Sequence, residues 1–285
     1  MSTLRQVGII TSVAVIGFFG LRALPDTQCT FLHADHQPVV VDGLEFCGLN
    51  EEANFYSPKA LRFPVELKVV LDAGGSSGEV RLLKDDGHPY YAHEVAVSHT
   101  QRLHLHLRQR GAERSYAHLH PQPAPDGSWR FELPGHLRGS PLRAYVDFTD
   151  ARTARTMLAE ADVMVADGAS ARPAPAARNR IVELTASTDR TGASAMIRLR
   201  LAGPAGKTLR LKPIMGSLGH AVVFSVDRPE AGYAHMHPTL EGGEYADDPT
   251  LAFRLRLPAP GTYDFWLNLN DGQDELLRAK LVVRP

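Results

Sequence analysis

Short runs of alternating apolar and polar residues dominate the chain from Leu61 onward. Each run is rich in β-branched and aromatic residues and ends at turn residues such as Asp85-Asp86-Gly87, a pattern typical of strands. Residues 151–161 fit either a short helix or a hairpin. The predicted strands cover residues 63–71, 79–83, 94–97, 103–107, 129–133, 142–148, 162–165, 196–201, 208–211, 220–226, 251–257, 263–269 and 281–283. This pattern predicts an all-β fold.

One motif occurs twice. Tyr116-Ala117-His118-Leu119-His120-Pro121 returns 117 residues later as Tyr233-Ala234-His235-Met236-His237-Pro238. A repeat at this spacing indicates an internal duplication. We therefore predict two tandem Ig-like or cupredoxin-like β-sandwich domains, at residues 55–166 and 181–285, joined by a linker at 167–180 that is rich in proline and alanine.

The N-terminus has the composition of a targeting segment, which we assign to residues 1–24. Arg5 provides a positive charge, and residues 7–21 are almost entirely apolar. These fifteen residues fall short of the roughly 20 that a spanning helix needs. The segment is either a signal peptide cleaved after Ala23 or an uncleaved membrane anchor. Both alternatives predict an exported protein, periplasmic or otherwise extracytoplasmic, and the second attaches it to the inner membrane.

The only two cysteines, Cys29 and Cys47, lie in a lead segment at residues 25–54. In an oxidising compartment, one pair of cysteines predicts a disulfide. The alternative is a metal site formed by these two thiolates with His33 and His36, although the spacings match no zinc-site pattern well.

Charge and motifs exclude several function classes. The chain has 31 Lys+Arg against 32 Asp+Glu, whereas a nucleic-acid binder usually has a basic excess. It contains no GxxxxGK[ST] or GxGxxG phosphate loop and no HExxH. These absences argue against an enzyme. The thirteen histidines are the unusual feature.

The histidines of the second motif are predicted to converge with one on the preceding strand. Residues i and i+2 of a strand share a face, which places His235 and His237 side by side. If the chain reverses near Arg228-Pro229, His220 lies opposite His237. Opposed Cβ atoms are about 4.5–5.5 Å apart, within reach of a shared ion.

The same reasoning groups His104, His118 and His120 in the first copy, with His106 as a possible fourth ligand. Met215, in the loop before His220, is a possible additional ligand, whereas Met236 points to the opposite face and is predicted to pack in the core. The remaining histidines are predicted to be ordinary surface residues, although His93 and His99 could add to the first site. Asp150 and Asp271 occupy equivalent places as turn residues, or alternatively as carboxylates that orient an imidazole.

Three imidazoles suit copper or zinc, and the Irving–Williams order favours Cu(II) at equal availability. Copper is therefore the first candidate and zinc the alternative. Because the trio recurs in both halves of the chain, metal binding is preferred to a solvated or structural histidine pair.

The sequence resembles a group of exported bacterial β-sandwich domains that are similar to periplasmic copper-handling proteins. The resemblance lies in a strand histidine, an HxHP box after a hairpin, an Asp-Gly turn and the Pro260-Gly261-Thr262-Tyr263 strand, and it spans residues 95–165 and 209–283. The first copy departs from it, with Gly139-Ser140-Pro141-Leu142 in place of P-G-x-Y. The resemblance implies a protein that binds or delivers a metal rather than a catalyst.

Two other functions remain open. The sandwiches could present surfaces to a cell-envelope protein, with the histidines bracing a hairpin. A metal-dependent enzyme that activates water or dioxygen at an open coordination position is the third alternative.

Overall fold

The computed structural model describes residues 3–22, 39–41, 44–46, 53–57, 61, 63–110, 115–164, 181–188, 194–203, 209–241 and 249–284. The chain divides into two compact units, Met1–Gln37 and Pro38–Pro285. Helix α1 (Thr3–Arg22) forms the described part of the first unit. Among the described residues, no helix combines the length and apolar character needed to cross a membrane. The predicted leader or anchor stays a prediction.

The second unit consists almost entirely of strands, so the predicted mostly β character is confirmed. Three short strands come first: β1 (Val39–Val41), β2 (Leu44–Phe46) and β3 (Ala53–Asn54). The next nine are β4 (Val65–Leu71), β5 (Ser77–Lys84), β6 (Val95–Ala96), β7 (Leu103–Gln109), β8 (Tyr116–Leu119), β9 (Gln122–Pro123), β10 (Trp129–Glu132), β11 (Leu142–Asp150) and β12 (Thr156–Val163).

The last eight strands are β13 (Ile181–Thr188), β14 (Ser194–Leu201), β15 (His220–Ser225), β16 (Tyr233–Met236), β17 (Thr239–Glu241), β18 (Thr250–Arg256), β19 (Gly261–Asn270) and β20 (Asp274–Val283). Single 3₁₀ turns occupy Ala92–Glu94, Gly135–Leu137 and Pro229–Ala231.

The strands form two pairs of sheets with the same strand order. The first pair contains β4-β5-β10-β9 and β12-β11-β7-β8, with β6 added beside β11. The second pair contains β13-β14-β18-β17 and β20-β19-β15-β16, with β3 added beside β18. Every strand of β4–β12 except β6 therefore has a counterpart at the same place in β13–β20. All of these pairings are antiparallel apart from that of β3 with β18.

Each sheet pair encloses its own apolar core, because alternate side chains of every strand face inward. In the first pair, Leu103, Leu105 and Leu107 of β7 meet Trp129 from the facing sheet. The second core contains Met236, as predicted from its place between two histidines. The intervening residues of β7, His104 and His106, are consequently turned away from the first core.

These outward faces pack against each other. A third buried cluster joins the two halves and consists of Tyr116, Tyr145, Leu158, Val222, Phe224, Tyr233 and Trp266. Arg108 reaches across it, with its guanidinium 3.3 Å from Asp264 and over the ring of Phe224. The sheet pairs are therefore held together within one compact unit.

The lead segment and the expected domain boundary differ from the sequence interpretation. β1 and β2 form a hairpin, and β3 pairs with β18 of the second half. Phe55 packs into the second core, whereas the sequence assigned residue 55 onward to the first domain. These residues are too few to reveal by alternation which sheet they join. Cys29 and Cys47, their predicted disulfide, His33 and His36 lie outside the described residues, as does the predicted linker.

One strand prediction is wrong, because residues 209–211 lie outside any strand. The strand predicted at residues 162–165 is confirmed in part, since Asp162 and Val163 form the end of β12. β12 begins at Thr156, which decides the open alternative for residues 151–161 in favour of a hairpin between β11 and β12.

Residues 53–57 pack against the second half of the chain, and the close approach of Tyr56 to Gly232 gives a stability prediction. This residue has φ 82°, and a Cβ there would overlap the Tyr56 carbonyl. Gly87 has φ 80° with open space around its Cβ position and is the matched control. We expect Gly87→Ala to cost about 1 kcal/mol from the backbone alone. Gly232→Ala should cost about 2–3 kcal/mol by urea denaturation because overpacking adds to it. Equal losses of unfolding free energy in the two variants would contradict the close contact between Tyr56 and Gly232.

Candidate metal centre

The first histidine trio is built by the β7–β8 hairpin. His106 lies directly opposite His118 in the ladder. His104 precedes His106 by two residues and therefore lies on the same face of the strand. The ring nitrogens of His104, His118 and His120 offer one atom each within 4.8 Å of one another. The structure thus brings together the three residues that the sequence grouped in the first copy.

Hydrogen bonds fix which nitrogen of His104 faces the trio. Its Nε2 lies 3.2 Å from the Ser98 carbonyl oxygen, an acceptor only, so Nε2 carries the proton and donates it. Nδ1 is then unprotonated and lies 3.1 Å from Nε2 of His118. The buried Nε2 of His120 has no hydrogen-bond partner in the described part of the chain. A buried ring nitrogen without a hydrogen-bond partner at this position is consistent with a role as a metal ligand.

The second trio repeats this arrangement on β15 and β16. His220 donates from Nε2 to the Ile214 carbonyl oxygen at 3.1 Å, which leaves Nδ1 unprotonated. That Nδ1 lies 3.2 Å from Nε2 of His235 and 3.0 Å from Nε2 of His237. The three residues offer ligand atoms within 4.8 Å of one another. The register Ala221↔Met236 places His220 opposite His237, as the hairpin argument predicted.

The two trios are adjacent, because they lie on the faces that dock. The ring centroids of His118 and His235 are 5.4 Å apart, as are those of His104 and His235, while His118 and His220 are 5.9 Å apart. The last two contacts exchange equivalent positions of the halves, as expected for a pseudo-twofold interface. The histidines therefore form one interfacial centre with two ligand sets.

Asp147 of β11 lies inside this centre and was missed in the sequence. Its Oδ2 accepts hydrogen bonds from Nε2 of His106 at 2.8 Å and from the Tyr233 hydroxyl at 3.1 Å. Its Oδ1 is 3.4 Å from Nδ1 of His235. Burial alone would raise the pKa of Asp147, but the nearby His235 and the hydrogen bonds outweigh it and hold the pKa well below its usual value.

The alternation of side chains along β11 could have identified Asp147 from the sequence. It lies opposite His104 in the ladder and alternates with the core residues Val146 and Phe148. Of the two residues that the sequence singled out, Asp150 is the last residue of β11, next to a turn, and Asp271 lies in the bend between β19 and β20. Asp150 accepts hydrogen bonds from the backbone of Arg152 and Thr153, which matches the preferred turn role.

His106 is positioned by hydrogen bonds at both ring nitrogens. Nδ1 lies 2.6 Å from the Tyr116 hydroxyl, and Nε2 donates to Asp147. It forms a third possible ligand group with Asp147 and His235 rather than joining His104 in the first trio. Since Asp147 is hydrogen-bonded to both histidines of that group, its present geometry is that of a hydrogen-bond network.

His99 was expected at the surface or as an addition to the first trio, but it lies against the second. Its ring centroid is 4.0 Å from that of His237 and 5.9 Å from that of His220. His99 occupies the tight turn between Ser98 and Gln101, and Met215 occupies the equivalent turn between Ile214 and Ser217. Both have φ 50°, with positive φ at the following residue as well.

The other described histidines lie apart. His88 and His93 are exposed, as predicted. His136 is half-buried with Nε2 3.2 Å from the Tyr116 carbonyl oxygen, so it is more than a surface residue. A groove in the first sheet pair, lined by Leu71, Phe131, Leu119 and Gln122 among others, reaches His120.

Burial keeps most of the clustered imidazoles neutral. It lowers the pKa of His104 to about 3 and those of His99 and His120 to about 4. Burial also holds the pKa values of His118, His220 and His237 well below 6.5. Neutral imidazole is the form that binds metal ions, so the rings are ready to act as ligands at neutral pH.

The comparisons with known proteins supply one match. Residues 176–284 match the model of a family described as a domain of unknown function (DUF8832). The matched segment contains all of β13–β20 and the second trio. No curated protein matches the chain.

Proposed function

We propose that this protein binds a transition-metal ion, copper first and zinc as the alternative, and holds or delivers it outside the cytoplasm. The observation that carries the proposal is the convergence of imidazole nitrogens in two buried trios, each including one unprotonated Nδ1, of His104 or of His220. Nδ1 of His220 lies 3.0–3.2 Å from two other imidazole nitrogens, an arrangement with more lone pairs than protons. A cation in each trio satisfies these nitrogens together.

The surroundings support this function. In each trio a backbone carbonyl fixes the proton of one imidazole on the outer nitrogen, as expected around metal-ligating histidines. Three imidazoles suit copper and zinc and leave a coordination position through which the ion can be passed on. The groove that His120 helps to line is the route by which we propose that the ion reaches the first trio. In this proposal the chain forms two tandem Ig-like or cupredoxin-like domains. They follow an export signal or an inner-membrane anchor.

Titration of the purified full chain with Cu(II) and Zn(II) tests the function. We expect sub-micromolar binding by calorimetry because the ligands are already in place and burial keeps five of the six neutral. Replacing His118, His120, His235 and His237 together by alanine should abolish it. The matched control replaces the exposed His88 and His93 by alanine and should bind like the wild type.

Failure of the wild type to bind either ion while remaining folded would favour the rival function, a module that presents its sandwiches to a cell-envelope partner. Binding that survives in the four-histidine variant would place the ion elsewhere.

A further inference from the structure

The two trios look alike in sequence but differ in what lies behind them. Nδ1 of His235, in the second trio, donates to the ionised carboxylate of Asp147, which belongs to the first half. His118 is the equivalent ligand of the first trio, and within the described residues no carboxylate hydrogen-bonds to it. The pseudo-twofold symmetry of the centre is therefore broken by one charge.

The ladder shows where the missing carboxylate would stand. Asp147 pairs with His104 on β11, and Asn268 pairs with the equivalent His220 on β19. An asparagine side chain is neutral and accepts only through its amide oxygen. The duplicated position thus carries a carboxylate in one half and an amide in the other.

A second difference strengthens the first. His106 holds Asp147 in place, and Tyr233 donates to the same carboxylate from the other half. At the position equivalent to His106, on β15, stands Val222, which has no donor in its side chain. The carboxylate is thus held by donors from both halves, a support that the amide of Asn268 does not have at Val222.

We infer that the two trios are unequal metal sites, and that the second, formed by His220, His235 and His237, binds its ion first and more tightly because Asp147 orients His235 from across the interface. This inference rests on the proposed metal binding. A carboxylate behind a ligating histidine fixes the ring and raises the basicity of the coordinating nitrogen, and losing such a partner typically costs 10–100-fold in affinity.

The order of filling gives each trio a role. The second trio retains its ion, whereas the first binds more weakly and includes His120, which the groove reaches. The first trio is therefore the site from which an ion is exchanged. Asp147 acts as a positioning residue, since its oxygens contact His106, Tyr233 and His235 rather than standing in either trio.

Competition titrations of the full chain with Zn(II) against a chromophoric chelator test the inference. The wild type should show two steps that differ in affinity by at least tenfold. Asp147→Asn, nearly isosteric, should weaken the tighter step about 10–100-fold and change the weaker step little. The reciprocal variant Asn268→Asp places a carboxylate at the equivalent position and should strengthen the weaker step.

Site-selective variants assign the steps and remain informative if Asp147→Asn fails to fold. His237→Ala should remove the tight step, and His120→Ala should remove the weak one. Two equal steps in the wild type, or loss of the tight step in His120→Ala, would overturn the inference while leaving metal binding intact. Absence of any Zn(II) or Cu(II) binding by the wild type would remove the proposed function as well.

Discussion

Acidification from pH 8 to pH 5 is expected to remove most of the stability of the metal-free protein. Burial lowers the pKa of His104 to about 3 and the pKa values of His99 and His120 to about 4, whereas an unfolded chain titrates its histidines near 6.5. Between these values the unfolded state binds more protons than the folded state. Stability is therefore complete above roughly pH 7 and falls as the pH drops below about 6.5.

The size of this loss of stability follows from the same lowered histidine pKa values. At pH 5, each histidine that stays neutral in the folded protein costs about 2 kcal/mol relative to pH 8. The three together therefore cost about 6 kcal/mol, comparable to the whole stability of an ordinary domain. The partial exposure of His99 and His120 reduces their share, and the lowered pKa values of His118, His220 and His237 add to it.

Urea denaturation at pH 8, 6 and 5 in the presence of a chelator measures this loss. Replacing His104 by asparagine should flatten the dependence on pH, whereas His88→Ala, at an exposed position, should leave it unchanged. Saturation with Zn(II) at pH 8 should add about 2.7 kcal/mol per site at a hundredfold excess over Kd. Equal stability at pH 5 and pH 8 would mean that the imidazoles are hydrated and that the interface is open.

Hairpin geometry is the part of the centre that the sequence could predict. Alternation places His235 and His237 on one face and Met236 in the core, and the position of the turn sets the register that brings His220 opposite His237. These relations are local, because one turn fixes them and the hydrophobic face leaves no freedom to slip. That the two halves share one strand order likewise agrees with the duplication seen in the sequence.

Docking of the two histidine faces could not be predicted in the same way. It depends on contacts between residues more than a hundred positions apart, such as Arg108 with Asp264, and no period in the sequence marks them. His99 depends in addition on positive φ at both central residues of a turn. Gly216 signals that geometry in the second half, but Thr100 in the first half gives no such signal.

Asp147 could be predicted in part from the sequence. Its face could be assigned from the apolar residues on either side, but its role could not, since its partners Tyr233 and His235 come from the other half. A charged residue on a strand face is usually solvated, and only the docked partner makes it a buried anion.

The docking itself is expected to depend on Asp264, which is buried between two arginines at the interface. Its carboxylate lies 3.3 Å from Arg108, also buried, and 3.1 Å from Arg278, which is half exposed. Asp264→Asn leaves the Arg108 charge buried without that carboxylate, and removal of one partner from such a pair typically costs about 3–5 kcal/mol. Arg108→Met should cost less, because Asp264 keeps Arg278 and methionine still packs on Phe224.

A double-mutant cycle separates the docking from a local effect. Asp264→Asn combined with Arg108→Met should be more stable in urea than Asp264→Asn alone, since the buried charge is gone. Glu66→Gln, which removes an exposed ion pair with Lys68, is the matched control and should be indistinguishable from the wild type. The trios contact each other across the same interface, so Asp264→Asn should also weaken the tighter Zn(II) step. A loss no larger than that of Glu66→Gln would show that the halves do not dock through these faces in solution, and the paired centre would then separate into two independent hairpins.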